Sequence, residues 1–81
     1  MPIDVKMPDL SATEGSDILV RRWLVKEGAR VKRGQPLLEV ETDKATMEVE
    51  SIVTGTVLEI LAVLGAKVAI GEVIARIQVD A

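Results

Sequence analysis

The chain has 81 residues, 48% of them hydrophobic, with a formal charge of −3 and a single aromatic, Trp23. That length supports one small domain, burying about 60–65% of the surface its unfolded form exposes, and the acidic balance argues against nucleic acid, which wants a basic face. With no cysteine and no histidine, disulfides, zinc sites and thiolate or imidazole catalysis are excluded, so any chemistry must come from a partner or an attached cofactor.

The opening "MPIDVKMPDL" has no apolar core of signal-peptide length, and no run reaches a membrane span; the longest, Val57–Leu64, is interrupted by Glu59. A soluble domain without a membrane partner is expected. The first strand is expected at Ile3–Met7, followed by a polar loop whose carboxylates Asp9, Glu14 and Asp17 lack the spacing of a calcium loop, so no metal is expected. Ile18–Val25 reads as a strand, with Trp23 packing against the core. "VKEGARVKRG" gathers Lys26, Arg30, Lys32 and Arg33 without Walker spacing and reads as a solvated loop. Strands follow at Leu37–Glu41, Thr46–Glu50, Thr56–Leu61 and Val73–Val79, with glycine-marked turns between most of them and Met7 and Met47 filling gaps in the core. Short strands at this spacing predict an all-β sandwich or barrel.

An internal repeat sharpens that expectation. "GARVKRGQPLLEVE" and "GAKVAIGEVIARIQ" are offset by 37 residues, which superposes Gly28 on Gly65, Val31 on Val68, Gly34 on Gly71, Leu37 on Ile74 and Val40 on Ile77. Going backwards, Val20 meets Val57 and Leu24 meets Leu61. Two copies are too few for a solenoid; two halves, about 18–41 and 55–78, closing about a quasi-twofold axis fit better. The repeat also settles Thr56–Leu64 as strand rather than helix, because its counterpart carries Arg21 and Arg22 and shows no apolar helical stripe.

At the centre lies "LLEVETDKATMEVE", nearly a reflection of itself about Asp43 and Lys44. With those two as loop residues, partners across a hairpin carry numbers that add to 87. Val40 then faces Met47 and Leu38 faces Val49 on the buried side; Glu41 faces Thr46, Glu39 faces Glu48 and Leu37 faces Glu50 on the other. A type I turn with Asp near its start needs no positive φ, so the bend can hold Lys44 out in water for an enzyme to modify. Glu39 opposite Glu48 is an unfavourable like-charge pair. Either a basic residue on a neighbouring strand relieves it, or the hairpin presents an acidic collar to a basic partner; the collar is the expectation carried forward.

"ETDKA" on a hairpin tip, with "KMPDLSATEGSDILVRRWLVKEGARVKRGQPL" before it and "TGTVLEIL" and "GAKVAIGEVIARI" after it, resembles the lipoyl domains of the acyltransferase components of 2-oxoacid dehydrogenase complexes. The likeness runs from about Met7 to Ile77 within one domain spanning residues 1–81, with a core of about 3–79. It implies a flattened β-barrel or sandwich of two four-stranded antiparallel sheets related by a quasi-twofold axis. It also implies lipoic acid in amide linkage on Lys44, attached by a lipoate ligase or lipoyl transferase, with Glu41, Thr42, Asp43, Ala45 and Glu48 as motif flanks and recognition residues. The loop Leu10–Ser16 (Leu10, Ser11, Ala12, Thr13, Glu14, Gly15 and Ser16) is implied in recognition by the decarboxylase; Ser11-Ala12-Thr13 departs from many relatives.

The resemblance further implies a non-catalytic swinging arm. A thiamine-diphosphate decarboxylase would reductively acylate it, the acyltransferase core would pass the acyl group to coenzyme A, and dihydrolipoamide dehydrogenase would reoxidise it. A bacterial cytoplasm or a mitochondrial matrix would be the setting, and the domain would be an excised piece of a larger acyltransferase, of the pyruvate or acetoin type by its wording. A biotinyl carrier has the same lysine-tipped hairpin but typically methionine on both sides of the lysine, where this chain has Asp43 and Ala45. The glycine-cleavage carrier is longer. An unmodified acidic docking module is the alternative from another class.

Overall fold

The computed structural model describes residues 2–8, 18–42 and 45–80, and all of its regular structure is β. Eight strands follow one another: β1 (Pro2–Lys6), β2 (Ile18–Trp23), β3 (Arg30–Val31), β4 (Pro36–Glu41), β5 (Thr46–Glu50), β6 (Gly55–Ile60), β7 (Lys67–Val68) and β8 (Val73–Val79). They form two four-stranded antiparallel sheets, ordered β1-β8-β6-β3 and β5-β4-β2-β7. The sheets face each other as a sandwich. Among the described residues no strand pairs from one sheet to the other, so the expected flattened barrel stays open at its seams.

The sequence repeat is a repeat of structure. Moving 37 residues along carries β2 onto β6, β3 onto β7 and β4 onto β8, with identical burial patterns in the first two pairs. β1 and β5 share a burial pattern as well. The operation turns one sheet order into the other, so in each sheet the two edge strands come from one half of the chain and the two central strands from the other. The interior follows the same rule: Val20 and Val57, Val31 and Val68, Leu37 and Ile74, and Val40 and Ile77 are all buried. Fully burying such a side chain stabilises by about 1.5–3 kcal/mol, and this aliphatic set replaces the aromatic core the composition rules out. Gly28 and Gly65 turn the chain at equivalent places with φ of 89° and 83°, a conformation side chains resist.

Six of the eight strands lie where the alternation predicts, to within two residues at their ends. Arg30–Val31 and Lys67–Val68 are strands that the sequence reading assigned to loops; each is two residues long, too short to show a period. The hairpin register is as expected for Leu38–Val49, Glu39–Glu48, Val40–Met47 and Glu41–Thr46. The expected pairing of Leu37 with Glu50 is wrong: Pro36 faces Glu50, and a β-bulge at Leu37 turns that side chain inward beside Leu38. The equivalent bulge at Ile74 buries Ile74 beside Ala75. Trp23 packs against the core as predicted, and its indole N–H donates to the Ala62 carbonyl at 2.6 Å, tying one sheet to the other. Met7 is buried, and Met47 packs against the core from its rim.

Candidate functional site

The candidate site is the bend between β4 and β5. Its stem is set by the alternation of Leu38, Val40, Met47 and Val49 toward the interior, which leaves Glu39, Glu41, Thr46, Glu48 and Glu50 facing outward. The last ladder pair is Glu41 with Thr46. One step further, the Thr42 N–H donates to the Ala45 carbonyl at 2.8 Å. The Thr42 hydroxyl donates to the same carbonyl at 3.0 Å and accepts the Ala45 N–H at 3.1 Å. Thr42 is buried, with 8% of its surface exposed, while Ala45 is exposed. Two residues, Asp43 and Lys44, therefore separate a buried threonine from an exposed alanine. Asp43 and Lys44 lie outside the described residues, as do Leu10, Ser11, Ala12, Thr13, Glu14, Gly15 and Ser16 of the expected recognition loop.

The charges around this stem correct one expectation. Glu39 does face Glu48, but it is held by β2: Arg21 lies 3.7 Å and Arg22 3.8 Å from its carboxylate. Arg21 also donates to Glu41 at 2.7 Å. The relief by a neighbouring strand, set aside in favour of an acidic collar, operates for Glu39 and Glu41. The outward acids left without an ion pair among the described residues are Glu48 and Glu50, on the edge strand β5. The sequence reading missed this role for Arg21 and Arg22 because β2 is far from β4 along the chain and only the fold sets Arg22 opposite Glu39. Adjacent arginines where the repeat has Leu58 and Glu59 were the available signal.

The basic segment expected to be a solvated loop is partly ordered. Val31 is buried, and Arg30 makes a two-pronged ion pair with Asp80, at 2.7 and 2.6 Å. The hydrogen bond to Arg30 holds the Asp80 carboxyl below its ordinary range, and the same bond raises the Arg30 guanidinium. Neither belongs to the bend. A cleft of about 440 Å³ lies at the seam of the edge strands β1 and β5, beside Lys6, Glu48 and Glu50. Its one hydroxyl, Ser51, is buried and donates to the Val53 carbonyl at 2.6 Å. Among the described residues no acidic cluster is arranged to hold a metal ion, and no helix is long and apolar enough to cross a membrane.

Two four-stranded sheets exchanged by a quasi-twofold, with a short hairpin closing one of them, define a scaffold for presenting the residues at that bend. The family of biotin-requiring enzymes, the biotin/lipoyl attachment domains, matches residues 3–77, and the chain belongs to it. Within that family it is a lipoyl domain of the acyltransferase type. It is 51% identical over 69 residues to the dihydrolipoyllysine-residue acetyltransferase component of the pyruvate dehydrogenase complex of Rhizobium meliloti, covering 83% of this chain and 15% of that protein. Its likeness to the protein of the same description from Zymomonas mobilis is 50% over 76 residues, covering 93% and 17%. The fold superposes on the solution structure of the lipoyl domain of the 2-oxoglutarate dehydrogenase complex from Azotobacter vinelandii with a TM-score of 0.75 and 35% identity, over 94% of this chain and 95% of that one. The chain thus spans about a sixth of the length of those two acetyltransferases.

Proposed function

We propose that this domain is an acyl carrier whose working group is lipoate, joined as an amide to Lys44. The observation that carries the reading is the closure of the hairpin at Thr42 and Ala45, in the register that leaves only Asp43 and Lys44 between them. An amine is the side-chain group that takes a carboxylate-bearing arm as a stable amide, and a domain without cysteine or histidine has use for an imported reactive group. Bound there, lipoate would supply a disulfide able to accept an acyl group together with an electron pair; the expected donor is a thiamine-diphosphate decarboxylase, and the expected acceptors are coenzyme A for the acyl group and dihydrolipoamide dehydrogenase for the electrons.

The chain's own residues contribute presentation rather than catalysis. The β4–β5 stem ends at the bend, and amide formation removes the ammonium charge, easing entry into an apolar channel. The arm extends roughly a dozen bonds of about 1.5 Å, and tethering supports an effective concentration of about 1 mM at each site it visits. Glu41, Thr42, Asp43, Ala45 and Glu48 at the hairpin are assigned as motif flanks and recognition residues, and Leu10–Ser16 before β2 to partner recognition. The parent would be a dihydrolipoamide acyltransferase of the pyruvate type, in a bacterial cytoplasm or a mitochondrial matrix. The likeness to the two acetyltransferases favours pyruvate over other 2-oxo acids and lipoate over biotin.

The test is intact mass after incubation with lipoate and a lipoate ligase, and separately with biotin and a biotin ligase. The expected result is a gain of one lipoyl group by the wild type, none by Lys44→Arg, and no biotin on either. Failure of the wild type to gain lipoate would favour the docking module instead. Reductive acylation of the loaded domain by a panel of decarboxylases then identifies the 2-oxo acid.

A further inference from the structure

We propose that the hydroxyl of Thr42 is the positioning group of this hairpin, fixing the bend in the geometry a modifying enzyme accepts; the inference rests on the reading of Lys44 as the modified residue. In a two-residue hairpin the residues flanking the loop exchange two main-chain hydrogen bonds. Thr42 and Ala45 have one of them, from the Thr42 N–H to the Ala45 carbonyl. The other donor, the Ala45 N–H, is received by the Thr42 hydroxyl at 3.1 Å, and that hydroxyl returns its own proton to the Ala45 carbonyl at 3.0 Å. A side chain thus stands where a main-chain carbonyl would close the ladder, and both polar atoms of Ala45 are tied to one residue.

Apart from Asp43 near its start, which suits a type I turn, little in the local sequence specifies the bend. Asp43-Lys44 is not an Asn-Gly or Asp-Gly pair, and neither glycine nor proline occurs between Pro36 and Gly55. The bend therefore leans on the hydroxyl of a buried residue, in part-buried hydrogen bonds whose loss would leave the Ala45 N–H without its protein acceptor. The fold does not depend on it to the same degree. The β4–β5 ladder is held by five further pairs, from Pro36–Glu50 to Glu41–Thr46. Loss of the hydroxyl should accordingly alter how the bend is presented while leaving the sandwich assembled.

Valine has the shape of threonine without the hydroxyl; serine keeps the hydroxyl without the methyl. The test compares wild type, Thr42→Val, Thr42→Ser and a core control, Val68→Ala on β7, all well below their melting temperatures. Two quantities are read: kcat/KM for lipoylation by a lipoate ligase, and hydrogen exchange of the Ala45 amide by NMR. Thr42→Val is expected to lower kcat/KM about tenfold, the rate equivalent of about 1.4 kcal/mol, and to speed exchange at Ala45. Thr42→Ser keeps wild-type values of both, and Val68→Ala loses melting temperature without slowing lipoylation. Equal rates for wild type and Thr42→Val, failure of serine to restore the rate, or an equal slowing in Val68→Ala would overturn the proposal. A wild-type chain that no lipoate ligase modifies, with its Ala45 amide protected as described, would instead remove the carrier reading and the positioning role with it.

Discussion

The two sheets share one backbone plan and carry different charge. On the outer face of the β1-β8-β6-β3 sheet one row across the strands reads Asp4, Arg76, Glu59. Arg76 sits between two acids and reaches both, Asp4 at 3.1 Å and Glu59 at 3.5 Å. The equivalent row of the other sheet reads Glu48, Glu39, Arg22. There the base stands at one end, Glu39 takes it together with Arg21, and Glu48 is left facing a like charge. Alternating the order of charges neutralises a row; segregating them leaves one edge acidic. The acidic edge is the strand that leads away from the lysine-bearing bend. The lesson is that symmetry of fold constrains the interior, where mates such as Val20 and Val57 must both fill space, and leaves the exterior free to differ.

The comparison breaks most severely at one interior position. Ile18 and Gly55 are mates at the starts of β2 and β6, yet one is a fully buried side chain and the other has none. A Cβ on Gly55 would lie 2.0 Å from the main-chain oxygen of Gln78, which cannot swing aside. Gly55→Ala is therefore expected to destabilise by about 3 kcal/mol or more through overpacking, and Ile18→Ala by about 2–4 kcal/mol through an unfilled cavity. Urea unfolding of the two variants measures both, and a Gly55→Ala chain as stable as wild type would show that β6 and β8 leave room for a side chain at this position.

Smaller effects sharpen the contrast in charge. Arg76→Gln removes the central base of the balanced row and is expected to cost about 1 kcal/mol, within the range for exposed pairs. Glu48→Lys converts the segregated row to base–acid–base and is expected to gain about 0.5 kcal/mol. The same urea series reads both signs. If Glu48→Lys lowered stability, the like-charge account of this edge would fail.

The smallest effect lies at the Arg30–Asp80 pair, which fastens β8 to the edge strand β3. Asp80 has its folded pKa depressed by the hydrogen bond to Arg30. Its contribution is thus present at any pH above the ordinary aspartate pKa and is lost as pH falls through the depressed folded value. Both groups are exposed, so solvent screens the pair. Asp80→Asn should flatten the acid limb of the stability–pH curve slightly and leave the neutral plateau in place. A profile that steepened in acid would contradict this assignment.

Strand alternation and the 37-residue repeat were enough to read the all-β class, six of the eight strands and the hairpin register from Leu38–Val49 to Glu41–Thr46. These are local properties: period two places side chains on faces, and a reflected pattern pairs one face with itself. The candidate attachment residue was legible for the same reason, since Lys44 stands at the centre of the reflection. Three features were decided only by the tertiary structure. The strands Arg30–Val31 and Lys67–Val68 exist because β6 and β2 offer them edges to pair with, not because two residues have a pattern. Leu37 points inward because a bulge shifts its register against β5. Glu39 is neutralised because folding brings Arg21 and Arg22 beside it from a strand connected through a long excursion of chain. Periodicity reports which way a side chain points along its own strand; which charge waits on the next strand depends on topology, and a single line of residues does not encode that in any short window.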